Sequence, residues 1–406
     1  MARVKLWVPR IGGLPREVTV LAAIAFCVAL GFGIVIPAIP LFARTFGVSA
    51  FAASAVISVF AFMRLVSSPA AGWMVNRFGE RNVMSTGLAI VGLSSLAAGF
   101  ATDYVQLLLL RGVGGTGSAM FTISATALLL RVTPTEYRGR ASGAFQAGFL
   151  IGGVAGPAVG GLVIGLSIRA PFFVYAGTLL AAFIVAITLL PRLEQVEQPD
   201  TPADAEPIKF LPTLRLPAYQ AALGANFANG FVFFGLRSSL VPLFVVEGLR
   251  EGPGLAGVGF VVAAGLQAAL LAIGGRTADH RGRKPALTIG LGVGLLSLVM
   301  LAIAPNVGLF LLAMAVAGIS GAFLGPSPTA IVGDVARGHH GGSVVAGFQM
   351  MSDVGSIIGP LVAGLLLDAA GFHIAFSAGA VVTALALLLA IRMPETLPKG
   401  TAGAAA

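Results

Sequence analysis

Read from its N-terminus, the chain is a succession of apolar runs separated by short turns rich in Gly, Pro and charge. The runs fall near 18–43, 51–75, 83–101, 105–130, 140–166, 171–190, 217–245, 254–278, 286–304, 307–332, 342–367 and 371–391. An α-helix needs about 20 residues to cross the hydrocarbon layer, and a barrel strand only about half that. Lipid offers backbone N–H and C=O groups no partner, so runs of this length close their own hydrogen bonds as helices. The pattern predicts an all-α integral membrane protein with twelve transmembrane helices. The first run follows basic residues, as in a signal peptide, but it is too long for an h-region and lacks a cleavage site. It is read as span 1.

Composition narrows this further. The chain is 57% hydrophobic and 10% charged, against about 25% charged in soluble domains. Disorder requires the opposite balance. Cys27 is the single cysteine, so no intrachain disulfide and no Cys-rich metal site can form. His280, His339, His340 and His373 offer no zinc constellation, and no metal is expected.

The net charge of +9 could suggest nucleic acid, but the basic residues are distributed by side. With both termini cytoplasmic, Arg3, Lys5, Arg10, Arg16, Arg77, Arg81, Arg131, Arg138, Arg140 and Arg192 fall inside. So do Lys209, Arg215, Arg276, Arg281, Arg283, Lys284, Arg337, Arg392 and Lys399. Only Arg44, Arg169 and Arg250 fall outside. This asymmetry is the positive-inside rule, so the charge reads as topology and nucleic acid is set aside. The stretch 191–216, with five prolines beside Glu194, Glu197, Asp200, Asp204 and Glu206, reads as a cytoplasmic linker. It divides the chain into bundles 1–190 and 217–406.

The halves repeat at an offset of about 203 residues. Gly72 to Arg81, which includes Asn76, Arg77, Gly79 and Glu80, aligns with Gly275 to Lys284, which includes Asp279, Arg281, Gly282 and Arg283. Gln146 aligns with Gln349, and Gly156-Pro157 with Gly359-Pro360. Six spans is an even number, so both halves enter the membrane in the same direction. Two such bundles around a central site is the layout of a rocking transporter.

These residues resemble the major facilitator superfamily over nearly the whole chain, and most of all its twelve-span drug:proton antiporter branch. The 2–3 and 8–9 loops resemble the family's Gly-x-x-x-Asp-Arg-x-Gly-Arg-Lys signature. The first departs from it, with Asn76 in place of Asp and Glu80 in place of a basic residue; Asp279, Arg283 and Lys284 keep it. Span 4 carries Arg111-Gly-Val-Gly114, resembling the intramembrane Arg motif with Gly114 where Gln is usual. Span 5 carries Gly143, Gly152, Gly156, Pro157, Gly160 and Gly161, at the spacing of the family's antiporter motif. Small residues every four positions let helices approach closely, and a proline bends a helix. These glycines read either as the antiporter signature or as helix packing alone.

Charges at membrane depth are costly and need a partner or a wet cavity. Four stand there: Arg64, Arg111, Arg237 and Asp353. In the fold that the resemblance implies, spans 2 and 11 face each other, so Arg64 and Asp353 are candidates for proton coupling through a pair that loosens when Asp353 is protonated. A permanent pair, or local satisfaction of Asp353 by Ser352 and Ser356, are the alternatives. Arg111 is read as tuning proton affinity or attracting anions, or as packing against backbone carbonyls. Arg237 is read as reaching outward to the interface or as touching substrate. Asp334 reads as a cap or as a partner of Arg337. Asn226 and Asn229, three apart in span 7, are candidate cavity residues together with Gln146, Gln349, Phe227, Phe231 and Phe234; core packing competes for the phenylalanines. Gly31, Gly33, Pro37 and Pro40 predict an irregular span 1.

No phosphate-binding loop, His-Glu-x-x-His or Gly-x-Ser-x-Gly motif appears. The chain therefore reads as a transporter without cofactor, not an enzyme, driven by an ion gradient or by the substrate's own. The expected activity is proton-coupled export of small lipophilic or amphipathic compounds by a monomer in the cell membrane. Transport of a specific sugar or organic anion in either direction is the alternative. A channel would need a pore loop or charged ring, and neither is visible.

Overall fold

The computed structural model describes residues 14–134, 137–191, 210–335 and 342–397. Most of the predicted linker, the terminal basic residues Arg3, Lys5, Arg10 and Lys399, and Arg192, Lys209, Arg337, His339 and His340 lie outside them. Among the described residues, eleven helices are long and apolar enough to cross a membrane. They are α1 (Arg16–Arg44), α2 (Ala50–Phe78), α3 (Glu80–Gly99), α4 (Tyr104–Val132), α5 (Arg140–Leu166) and α6 (Ala170–Leu189). Then follow α7 (Pro217–Gly248), α8 (Gly254–Arg281), α9 (Arg283–Ala302), α10 (Val307–Val335) and a stretch Val344–Arg392.

That last stretch has 49 residues, about 74 Å of helix and more than twice the thickness of the hydrocarbon layer. Gly371 breaks it with φ 82° and ψ −179°, a backbone region open essentially to glycine alone. It therefore comprises two crossings, α11 (344–370) and α12 (372–392), and the predicted twelve spans are present.

Local chemistry repeats with the halves. Asp103 caps α4 by accepting from the N–H of Gln106 at 2.9 Å, and Asn306 caps α10 by accepting from that of Leu309 at 3.0 Å. Gly79 and Gly282, both at positive φ, lead into α3 and α9. The expected irregularity of α1 is a turn at Ile36–Pro37, after which the helix resumes at Ala38. In α7 the ladder widens to π-helix at Gly230–Arg237 and again at Phe244–Gly248.

By contacts the chain forms two compact units. The first comprises Met1–Ala38 and Val59–Val196; in it α1 packs on α5 and α6, and α3 on α4 and α6. The second comprises Ile39–Ser58 and Glu197–Ala406; in it α7 packs on α11, and α9 on α10 and α12. The C-terminal end of α1 and the start of α2 thus belong by contact with the second sequence half.

Candidate functional site

In each unit two helices meet along a seam of small residues. On α5, Gly148, Gly152, Gly156 and Gly160 lie against the α1 backbone at Ala22, Phe26, Leu30 and Ile34 in turn. A β-carbon on Gly156 would stand 2.6 Å from the Leu30 carbonyl oxygen and 2.7 Å from the Cα of Gly33. Gly148 continues the stripe and was not singled out from the sequence, although its four-residue spacing could have shown it. Gly143 has open space around it, and Gly161 is half-buried. In the second unit, Gly355 and Gly359 of α11 lie against the α7 backbone at Phe227 and Phe231. Gly235 meets Pro360 and Gly359 as Gly33 meets Pro157 and Gly156.

Two side chains reinforce the second seam. Asn226 Nδ2 donates to the carbonyl of Phe348 at 2.6 Å, and the Tyr219 hydroxyl donates to that of Val344 at 2.7 Å. Asn226 is buried in this contact. Its amide thereby helps to hold α7 to α11. Phe231 is buried in the core, with Phe227 packed against it at 6.0 Å between ring centroids, so the competing core reading describes both. Gln146 and Gln349 are both exposed.

At the turns between α2 and α3 and between α8 and α9 the two loops carry matching ion pairs. Glu80 pairs with Arg131 at 2.9 Å, and Arg81 donates to the Ile187 carbonyl. Asn76 and Arg77 are exposed, and Gly72 and Gly275 have open space around them. In the other loop, Arg283 pairs with Asp279 at 2.5 Å and with Asp334 at 3.2 Å. Among the described residues, Asp334 thus pairs with Arg283, with the Thr396 hydroxyl also donating to it at 3.2 Å. Glu395 accepts from the N–H groups of Arg283 at 2.8 Å and Lys284 at 3.1 Å, capping α9. Burial pushes the Glu395 carboxyl up. Backbone donors at Leu397, Arg283, Lys284 and Thr396 outweigh this and hold it below the usual carboxylate range. Glu395 was missed in the sequence, because nothing local marks a cap supplied from over a hundred residues away.

Within the second unit, Ile39–Ser58 is held by polar contacts of its own. Arg44 meets Glu247 in a two-pronged pair at 2.7 and 3.1 Å. Asp368 accepts from the N–H groups of Ala50 and Phe51 at 2.9 and 2.8 Å. The Ser58 hydroxyl donates to the Ile357 carbonyl at 2.7 Å.

The charges at membrane depth separate into two kinds. Arg64, in the first unit, and Asp353, in the second, are both half-buried; the Ser356 hydroxyl donates to the Ser352 carbonyl at 2.8 Å. Arg111 and Arg237 are buried. Arg111 lies over the Phe60 ring at 4.5 Å from the centroid, among Phe32 and Tyr175, and its Nε is unpartnered. No backbone carbonyl accepts from it among the described residues, which corrects the packing reading. Arg237 does not reach outward either. It borders a cavity of about 40 Å³ shared with Asn229, Phe233, Ser320 and Thr383. No group of metal-ligating side chains occurs among the described residues.

Comparison with known proteins bears on the whole chain. Residues 21–266 and 222–406 each match the family model described as Major Facilitator Superfamily. Multidrug resistance protein 2 of Bacillus subtilis is 31% identical over 173 residues, 43% of each chain. Quinolone resistance protein NorA of Staphylococcus aureus is 27% identical over 176 residues, 43% of this chain and 45% of that one. The matches thus span less than half the length of these relatives. Among solved structures, an inward-facing, unoccupied bacterial homologue of the human lysosomal transporter Spinster superposes with a TM-score of 0.76 at 17% identity. The match covers 92% of this chain and 95% of that one.

Proposed function

The chain belongs to the Major Facilitator Superfamily, and on that premise we propose that it exports small lipophilic or amphipathic compounds in exchange for protons, by alternating access. The observation that carries this reading is the glycine seam of α5 on α1. It contains Gly152, Gly156, Pro157 and Gly160 of the antiporter-like motif, at backbone-to-backbone distance. Such a seam lets two helices slide or pivot with little side-chain rearrangement. The names of the relatives, multidrug resistance protein 2 and quinolone resistance protein, support drug-like substrates.

Asp353 is the proton site in this proposal. Its carboxylate stands at membrane depth, where protonation removes a costly charge. With the proton on, its attraction to basic groups falls and the equilibrium between access states shifts. Arg111, buried without an acid partner, tunes proton affinity from the first unit. The protein works as a monomer in the cell membrane with both termini cytoplasmic, in line with the sidedness of its Lys and Arg residues.

The test is extrusion of a lipophilic dye from right-side-out vesicles under an imposed inward proton gradient. Wild type should extrude dye and stop when the gradient collapses; Asp353→Asn should lose the proton dependence. Extrusion by Asp353→Asn that still followed the gradient would refute the role of Asp353. A second reading, transport of an organic anion, is favoured by the buried Arg111 and Arg237.

A further inference from the structure

Arg237 is 6% exposed, yet its Nε has no hydrogen-bond partner and no carboxylate lies within ion-pair distance among the described residues. Five described acids of the second unit are engaged elsewhere. Glu247 is held by Arg44, and Asp279 and Asp334 by Arg283. Asp368 and Glu395 cap helices. The contact of Arg237 with the Phe233 ring, 5.9 Å from its centroid, does not replace a counter-charge. Arginine keeps its proton at any physiological pH, so the buried charge calls for an anion.

The cavity beside it is suited to one. Its volume of about 40 Å³ is room for a carboxylate group or a few waters, and too little for a whole drug-sized molecule. Ser320 and Thr383 in its wall already donate to the carbonyls of Gly290 and Gly379, at 2.7 and 2.9 Å. Asn229, half-buried on the same wall as Arg237, makes no hydrogen bond through its side chain among the described residues. Arg237 and Asn229 are thus the donors with hydrogens unused. Phe233, 42% exposed, stands at the rim as an apolar surface. Gly294 keeps the wall thin: a β-carbon there would stand 2.7 Å from the Ser320 hydroxyl oxygen.

We infer that this cavity is a subsite for the carboxylate of an amphiphilic acid, with Arg237 taking the charge, Asn229 adding a second donor and the apolar body of the ligand lying over Phe233. The inference rests on the transporter reading above and narrows its substrates to those carrying an acid group.

The test uses the purified full-length protein in phosphatidylcholine nanodiscs, without any gradient, titrated with 2-naphthoate and with its neutral isostere 2-naphthamide. Naphthoate should bind at least about tenfold more tightly, the effect of one charge-assisted hydrogen bond. Arg237→Gln should remove that preference, bringing naphthoate binding down to that of naphthamide. Asn229→Asp, which gives Arg237 an internal carboxylate, should also abolish the preference while raising the melting temperature; it serves where Arg237→Gln does not fold. Equal binding of acid and amide to the wild type, or a preference that survives in Asn229→Asp, overturns the subsite. Proton-driven dye extrusion is read in parallel. Its absence overturns the exporter reading, whereas its presence without a naphthoate preference overturns the subsite alone.

Discussion

Glu80 and Arg131 form an ion pair at 2.9 Å on positions whose counterparts 203 residues later, Arg283 and Asp334, form the same pair with the charges exchanged. The departure of Glu80 from the basic residue of the loop signature is therefore compensated. Where the first loop carries the acid, the end of α4 carries the base, and the second half has the opposite arrangement.

This compensation predicts a charge-swap result. Glu80→Arg should place two arginines together and lower stability by about 1 kcal/mol, the scale for a partly exposed pair. Glu80→Arg with Arg131→Asp should recover most of it by rebuilding the arrangement of the second half. A double-mutant cycle from thermal melts in detergent measures the coupling. Additive losses from the two substitutions would mean that the pair contributes nothing.

The glycines of the α5 motif should divide by contact. Gly156→Ala brings a β-carbon to 2.6 Å from the Leu30 carbonyl, and overpacking of this kind costs about 1–3 kcal/mol. Gly143→Ala and Gly153→Ala meet nothing within 4 Å and should be neutral, or gain slightly from helix propensity. Melting temperature and dye extrusion together check this: Gly156→Ala should lower both, and the two controls neither.

What the sequence revealed follows the range of each interaction. Apolar runs report helix crossings directly, because lipid acts on every residue of a span; the α11–α12 break at Gly371 falls at the boundary between the runs near 342–367 and 371–391. The repeat was legible because it preserves local motifs, as at Gly79 and Gly282. Partners distant in the chain were not legible. Asp368 and Glu395 are ordinary acids until folding brings a helix N-terminus to each. Asp334 read as a cap or as a partner of Arg337, which lies outside the described residues; its pair with Arg283, 51 residues away, was not legible. Asn226 and Asn229 looked alike at three-residue spacing, yet one bonds the α11 backbone and the other borders a cavity.

That division of labour gives a prediction for the two asparagines. Asn226→Leu leaves the buried Phe348 carbonyl without its donor and should cost about 1–3 kcal/mol. Asn229→Leu removes no hydrogen bond in the protein and should leave the melting temperature nearly unchanged. Thermal melts of both variants in one detergent are sufficient; equal destabilisation would contradict the assignment.

Glu395 makes stability depend on pH in a definite direction. Its carboxyl lies below its ordinary 4.5 in the folded protein because backbone donors favour the charged form. The folded state therefore gains from it fully above about pH 4.5, and loses that gain as pH falls through the lowered folded value. Wild type should lose melting temperature on acidification from pH 5 to pH 3 more steeply than Glu395→Gln, which cannot ionise. Parallel pH curves for the two proteins would show that the cap carries no charge-dependent stability.

Asp368 performs at the start of α2 what Glu395 performs at the start of α9, accepting from two successive N–H groups at 2.9 and 2.8 Å. A free helix N-terminus leaves four backbone donors without partners, and a carboxylate there also meets the positive end of the helix dipole. Asp368→Ala should cost about 1 kcal/mol, the usual loss for a removed cap. Asp368→Asn keeps an acceptor oxygen but loses the charge, and should fall between the two. Gly364 lies on the same seam, where a β-carbon would stand 2.6 Å from the Cα of Phe51, so Gly364→Ala should disturb the contact by crowding without touching the cap. Hydrogen exchange at Ala50 and Phe51 separates the effects. Protection there should fall in Asp368→Ala, remain partly in Asp368→Asn and fall again in Gly364→Ala, while the amides of α9 stay protected in all three. Unchanged protection of Ala50 and Phe51 in Asp368→Ala would show that the α2 terminus is held by its packing alone.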